Sequence, residues 1–231
     1  MSDFDLFAME TLVADASRQV LANPHASAAD YRQALLTLLT HFERMVRETR
    51  RMISQSDRRE AEMNQLNSRL GGLARRLEYE ATHDALTGVL NRAAITVRAE
   101  HAMGAVILLD IDHFKRINDH YGHPCGDATL VELTQRILRN LPEEAMLGRL
   151  GGEEFMVLCP AMRLSEAAIL AENLRERIAS QPFEDGGHCL MVSISAGVAV
   201  LLADVHEAYQ HADAALYRAK GGGRNRVEVA R

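Results

Sequence analysis

From Leu35 to Glu80 the chain places residues at intervals of three and four without a slip: Leu35, Leu38, Phe42, Met45, Thr49, Met52, Ser56, Arg59, Met63, Leu66, Leu70, Leu73, Leu77 and Glu80. Ten of these fourteen positions are apolar. A 3.5-residue repeat of this length predicts a coiled-coil seam, because only a supercoil keeps so narrow a stripe turned toward one partner. A helix of some 45 residues is about 70 Å long at 1.5 Å per residue. That exceeds the width of a domain of this size, so the stripe calls for a second copy of the chain. The seam is weakest at Ser56 and Arg59, and Gly71 and Gly72 loosen the helix locally.

Upstream, Leu6, Met9, Val13, Ala16 and Val20 mark one face of a first helix over 4–21, ended by "NPH" at 23–25. Ser27 with Asp30 three residues on reads as a capping box that starts the second helix. Residues 1–80 are therefore expected to form a helical hairpin and coiled-coil stalk, and 81–231 a separate domain. In that domain the apolar run "GAVILLDI" (104–111) is a central strand and "HPCGDATLVELTQRILRNL" a helix. "MLGRL" and "EEFMVLC" form a hairpin across Gly-Gly. A helix near 165–180, a strand at 190–200, a helix near 206–219 and a short strand at 226–229 complete the pattern. Strands interleaved with helices around an obligatory hairpin predict an α/β (α+β) domain with a largely antiparallel, helix-covered sheet.

The chain has 231 residues, 47% hydrophobic and 25% charged, with a formal net charge of -6. No basic block with interleaved aromatics occurs, so nucleic acid is not an expected partner. The nine arginines between 44 and 76 read as solvated faces of the stalk. The acidic start "MSDFDLFAME" and the lack of a roughly 20-residue apolar run predict a cytoplasmic chain with no membrane contact. Cys125, Cys159 and Cys189 are odd in number, far apart and in no metal-binding spacing, which predicts buried or idle thiols. His113, His120 and His123 are explained as part of a loop and helix start.

Chemistry concentrates at "GRLGGEEFMVL", 148–158, where two glycines and two glutamates interrupt core-like strand sequence. A plain hairpin turn accounts for Gly-Gly alone, and Asp110 alone is an ordinary strand-end carboxylate beside Asp112, which is placed to cap the next helix. Laid side by side, Asp110, Glu153 and Glu154 become three carboxylates without an obvious basic partner. Such a group invites a divalent cation, and magnesium suits an all-oxygen site shared with phosphate. The glycines allow a tight turn and leave no side chain between the backbone and a nucleotide.

Four segments in order, "HDALTGVLNR" (83–92), "DIDHFKRINDHYGHPCGD" (110–127), "GGEEF" (151–155) and "LYRAKGGGRN" (216–225), resemble the GGDEF family of diguanylate cyclases. The resemblance implies a fold similar to the palm of nucleotide cyclases and polymerases, and the condensation of two GTP into cyclic di-GMP and two pyrophosphates. It implies that Asp110, the Ile111 carbonyl and Glu154 hold Mg²⁺, with Mn²⁺ as an alternative, and that Glu153 is a further ligand or the base for the ribose 3′-hydroxyl. By the same resemblance Asn118 and Asp127 read guanine, while Lys115, Lys220, Arg224 and the backbone at Phe114 contact phosphate. Asp84 and Arg92 are expected to tie the domain together rather than do chemistry.

Each family site holds one GTP, so a homodimer through 35–80 is implied. The stalk is also similar to that of SiaD-type cyclases, which implies a small regulatory protein acting on residues 1–60. The chain departs from the family's R-x-x-D inhibitory site, where it reads Pro142, Glu143, Glu144 and Ala145, and has Val89 where leucine is common. An enzyme without the usual product inhibition is the expectation. The alternatives are a catalytically weak domain that binds GTP or cyclic di-GMP as a receptor, and a coiled-coil adaptor, which leaves the carboxylates unexplained.

Overall fold

The computed structural model describes residues 8–185, 188–202 and 204–230. It divides into two units, Met1–Ala74 and Arg75–Arg231. Leu6, on the expected apolar face of the first helix, lies outside the described residues.

The first unit holds α1 (Ala8–Ala22), which turns at 23–27 into α2; that helix spans Ala28–Thr82 without a break, so its last eight residues belong to the second unit. The turn obeys the capping prediction. The Ser27 N–H and hydroxyl both donate to the Asp30 carboxylate at 2.8 and 2.7 Å, and the Asp30 N–H donates back to Ser27 Oγ at 3.2 Å. Val13 of α1 and Leu35, Leu38, Phe42 and Met45 of α2 line a groove between the two helices. No residue of α2 is buried; Leu66, Leu70, Leu73 and Leu77 are 53–64% exposed. Gly71 and Gly72 do not interrupt the helix. No helix among the described residues is long and apolar enough to cross a membrane.

The second unit continues with β1 (Leu90–Asn91), α3 (Arg92–Glu100), β2 (Gly104–Ile111), α4 (Phe114–Tyr121) and α5 (His123–Leu138). The hairpin β3 (Met146–Gly151) and β4 (Glu154–Pro160) follows, then α6 (Leu164–Ser180), a small ribbon of β5 (Phe183–Asp185) and β6 (His188–Leu190), β7 (Ile194–Leu201), α7 (Val205–Gly221) and β8 (Val227–Val229). Six strands form one sheet in the order β1-β3-β4-β2-β7-β8. Its four central strands are antiparallel and its two edge strands parallel to their neighbours.

Strand alternation explains the two layers. Ala105, Ile107, Leu109 and Ile111 of β2, with Phe155, Val157 and Cys159 of β4, face one core against Leu130, Leu133 and Ile137 of α5 and Leu174 and Ile178 of α6. Val106 and Leu108, with Met156 and Leu158, face the other core against Ile95 of α3 and Ala208, Ala212 and Leu216 of α7. Both faces of β2 are buried, which is why its sequence is uniformly apolar.

The expected strand at 190–200 is divided. Leu190 ends β6, which pairs only with β5, whereas Ile194 begins β7 in the main sheet. The chain changes sheets at 191–193, a step that strand-like sequence does not reveal.

Candidate active site

Asp110 is the next-to-last residue of β2 and pairs directly across from Glu154, the first residue of β4. Both have the parity of Val106 and Leu108, so both belong to the face covered by α3 and α7. The β3–β4 turn lies one residue later than the sequence suggests. Gly151 still pairs with Glu154, after an irregularity at Leu150, and the turn proper is Gly152–Glu153. Glu153 thereby sits in the turn itself and Glu154 on the strand, so the two adjacent carboxylates occupy different settings.

The turn has positive φ at both glycines, 145° at Gly151 and 51° at Gly152, and a Cβ on either would meet nothing within 4 Å. Backbone there is open to a ligand. Arg149 holds the turn from below: its Nε and Nη2 donate to the Gly152 carbonyl at 3.0 and 2.8 Å, and its Nη1 pairs with Asp84 at 3.0 Å. Asp84 also accepts from the Thr87 N–H and hydroxyl. Burial pushes the Asp84 carboxyl up, but the Thr87 donors and Arg149 outweigh it and hold it below the ordinary carboxylate value. This clamp fits the expected structural role of Asp84. The reach of Arg149 to the turn is a contact that local pattern does not reveal.

Asp110 has a basic partner, which corrects the reading of an unpartnered acidic group. Lys220 Nζ, from the last turn of α7, lies 2.8 Å from Asp110 Oδ2, with the aspartate side chain 8% exposed. No three His, Cys, Asp or Glu side chains converge to hold a metal as they stand among the described residues. Burial nevertheless pushes the Asp110 carboxyl up to about 6; Lys220 opposes the shift, and the charges of Glu153 and Glu154 add to it. A second cation beside these oxygens would relieve that crowding, so the donor set fits a hard, oxygen-preferring ion.

The shift has a measurable consequence. A carboxyl with a higher pKa folded than unfolded stabilises the fold fully below the unfolded value near 3.8, and that contribution is lost as pH rises through about 6. In chelator, the stability of wild type relative to Asp110→Asn is expected to fall by about 1 kcal/mol between pH 5 and pH 7.5. Urea denaturation at the two pH values measures it, and parallel curves for the two proteins would contradict the shift.

The other expected site residues come from three segments. Helix α4 starts at Phe114 after His113, whose φ is 59°, and no side chain caps it. Its first N–H groups are thus left for a ligand or water. Asp112 does not cap it, contrary to expectation; its carboxylate turns toward β7 instead. Lys115 is exposed on the first turn of α4, and Asn118 is half-buried on the second. Gly126 of α5 is required for the approach of α4: a Cβ there would collide with Asn118 Oδ1. This close passage brings the Asn118 amide beside the turn that carries Asp127. Arg224 is exposed in the loop after α7.

A central antiparallel sheet with an acidic pair at one end of its middle strands, an open glycine turn beside it and cations at the end of α7 is an arrangement that suits a phosphate-bearing ligand. Residues 81–226 match the diguanylate cyclase GGDEF-domain family, to which the chain belongs. It is 44% identical over 162 residues to the diguanylate cyclase DgcP of Pseudomonas aeruginosa, covering 65% of this chain and 24% of that protein. It is 40% identical over 180 residues to the bifunctional diguanylate cyclase/cyclic di-GMP phosphodiesterase MucR of the same organism, covering 73% and 26%. The chain thus spans about a quarter of the length of these relatives.

Among solved structures, it is similar to the coiled coil and GGDEF domain of DgcB from Caulobacter crescentus in complex with c-di-GMP. The TM-score is 0.70 at 30% identity, covering 75% of this chain and 98% of that one. It is also similar to the diguanylate cyclase SiaD of Pseudomonas aeruginosa, solved with its activator SiaC. There the TM-score is 0.63 at 28% identity, covering 96% and 99%.

Proposed function

We propose that this chain is a diguanylate cyclase that joins two GTP molecules into cyclic di-GMP and releases two pyrophosphates. The observation that carries this reading is Glu154 directly across from Asp110 on one sheet face, beside a turn whose glycines are open to a ligand. Each 3′-oxygen forms a bond to the α-phosphorus of the other GTP as the bond to that nucleotide's β-phosphate bridge breaks. The hydroxyl proton passes to a base, the role proposed for Glu153 if it is not a further ligand of the cation.

Asn118 and Asp127 read the guanine edge, where a carboxylate accepts both N1–H and the exocyclic amine. Lys220, Arg224, Lys115 and the backbone at Phe114, at the start of α4 where no side chain caps the helix, receive the phosphates. Asp110, the Ile111 carbonyl and Glu154, with Glu153 as a further ligand or the base, would hold a divalent cation, Mg²⁺ or alternatively Mn²⁺, which when bound would neutralise charge gathering on the phosphates. Incubation of the purified chain with GTP and either cation, followed by detection of cyclic di-GMP, tests the reading.

One GTP per domain requires two domains face to face, and the exposed seam of α2 supplies the homodimer. Residues 1–60 form the part on which a small regulatory protein acts, a reading supported by the likeness to SiaD. Product inhibition is absent, because Pro142 stands where a phosphate-gripping arginine would be needed and the two residues after it, Glu143 and Glu144, are exposed acids. Titration of cyclic di-GMP into protein whose active site is blocked by a GTP analogue is expected to show no binding at micromolar ligand. Saturable binding in that range would restore the inhibitory site.

A further inference from the structure

Asp112 lies two residues beyond Asp110, is 6% exposed, and is given no part in the chemistry above. Its carboxylate gathers three donors: Ser195 Oγ at 2.6 Å on Oδ1, then Ser193 Oγ at 2.6 Å and the Asn225 N–H at 2.9 Å on Oδ2. Its own N–H donates to the Ser193 carbonyl at 2.9 Å. Two of these partners lead into β7. The third belongs to the loop between α7 and β8, 113 residues away in sequence.

That loop is unusual in its backbone. Gly223, Arg224 and Asn225 have φ of 113°, 65° and 44° in succession. Glycine takes such angles freely and asparagine tolerates them, but arginine seldom does. A run of this kind persists only where its surroundings hold it. Three contacts do so: Asp112 on the Asn225 N–H, Arg175 Nη1 on Asn225 Oδ1 at 2.9 Å, and the Ala219 carbonyl on the Arg224 N–H at 3.0 Å. The Arg224 guanidinium itself makes no ion pair among the described residues.

We infer that Asp112 is a positioning residue for the triphosphate: by holding Asn225 it fixes the loop conformation that presents Arg224 to the phosphates. The inference rests on the reading of Arg224 as a phosphate contact. It also gives the second aspartate of "DID" a task distinct from the first. Asp110 faces the ligand, and Asp112 ties the end of the same strand to the loop that approaches from α7. A carboxylate suits the position because it offers acceptors to all three donors and brings no donor of its own. Asparagine retains an oxygen for Asn225, and its amide can meet Ser195, whose hydroxyl rotates to accept.

The test compares binding of a non-hydrolysable GTP analogue and of GMP to the full chain with Mg²⁺. Asp112→Ala and Arg224→Ala are each expected to weaken the analogue about tenfold, the scale of one charge-assisted contact. The double variant should be no more than about twofold weaker than either single one, as expected for groups acting through one contact. GMP binding should be unchanged, and Asp112→Asn should recover most of the loss. If Asp112→Ala does not fold, Asp112→Ser is read in the same way.

Equal loss of GMP and analogue, or additive losses in the double variant, would overturn the inference. An unchanged analogue affinity in Asp112→Ala beside a weakened Arg224→Ala would overturn it while leaving the phosphate reading intact. No effect of Arg224→Ala would remove that reading and the inference together.

Discussion

Glu154→Ala is expected to abolish cyclic di-GMP formation, lowering the rate about a thousandfold or more, the scale on which preorganised electrostatic groups act, while the protein stays folded. The two halves of this expectation come from the same geometry. Glu154 is half-buried opposite Asp110 and makes no ion pair or side-chain hydrogen bond among the described residues. Its charge raises the pKa of Asp110, and that of Tyr209 after the larger effect of burial. A carboxylate that repels its neighbours and supports none of them contributes little to the fold, so its removal spares stability. It is, however, one of the groups that hold the divalent cation in the proposed site. Product formation and thermal unfolding measured on the same samples decide the matter. Turnover within tenfold of wild type would remove Glu154 from the chemistry. If wild type itself made no product at high concentration, with or without cell extract, the cyclase reading would fall and a receptor for GTP or cyclic di-GMP would take its place.

Much of the site was legible in sequence because its parts are short and local. The apolar run ending in Asp110 and the capping box at Ser27 each depend on neighbours within a few residues and took their expected form, and the glycine turn formed one residue from its expected place. What sequence did not reveal depends on pairing across long separations. Lys220 reaches Asp110 from the end of α7, so a cation assigned to phosphate alone also balances the buried aspartate. Asp112 looked like a helix cap because caps are local. Its actual donors are 81 to 113 residues away and meet it only once β7 and the α7–β8 loop are in place. The break at 191–193 has a similar origin: strand-like sequence runs through it, while the hydrogen-bonding partners change from one sheet to another. The one-residue shift of the turn follows from the irregularity at Leu150, which alternation of side chains alone does not encode.

Replacing Leu66 and Leu73 together by glutamate is expected to convert the chain to monomer and to lower activity at nanomolar protein about a hundredfold. Both leucines lie on the outside of α2, 53% and 58% exposed, on the stripe that recurs every three and four residues. In a dimer the pair becomes four buried side chains, each contributing roughly 1.5–2 kcal/mol. Their combined loss exceeds the ~4 kcal/mol that separates micromolar from millimolar association. In the proposed mechanism each half-site holds one GTP, so the loss of dimer would remove activity by mass action rather than by damage to the domain. Specific activity of the variant should therefore climb with protein concentration, and fusion of an unrelated parallel dimeric coiled coil in register should restore it at low concentration. Light scattering and initial rates over a dilution series supply both readouts. A variant that remains dimeric, or keeps full activity at nanomolar protein, would show that the stalk is not the dimerising device. Wild type assayed in the same series also tests the regulator: a chain already dimeric and fully active on dilution needs no partner on residues 1–60. A chain that dissociates and gains activity with extract has its control point in the seam, where Ser56 and Arg59 weaken an otherwise apolar stripe.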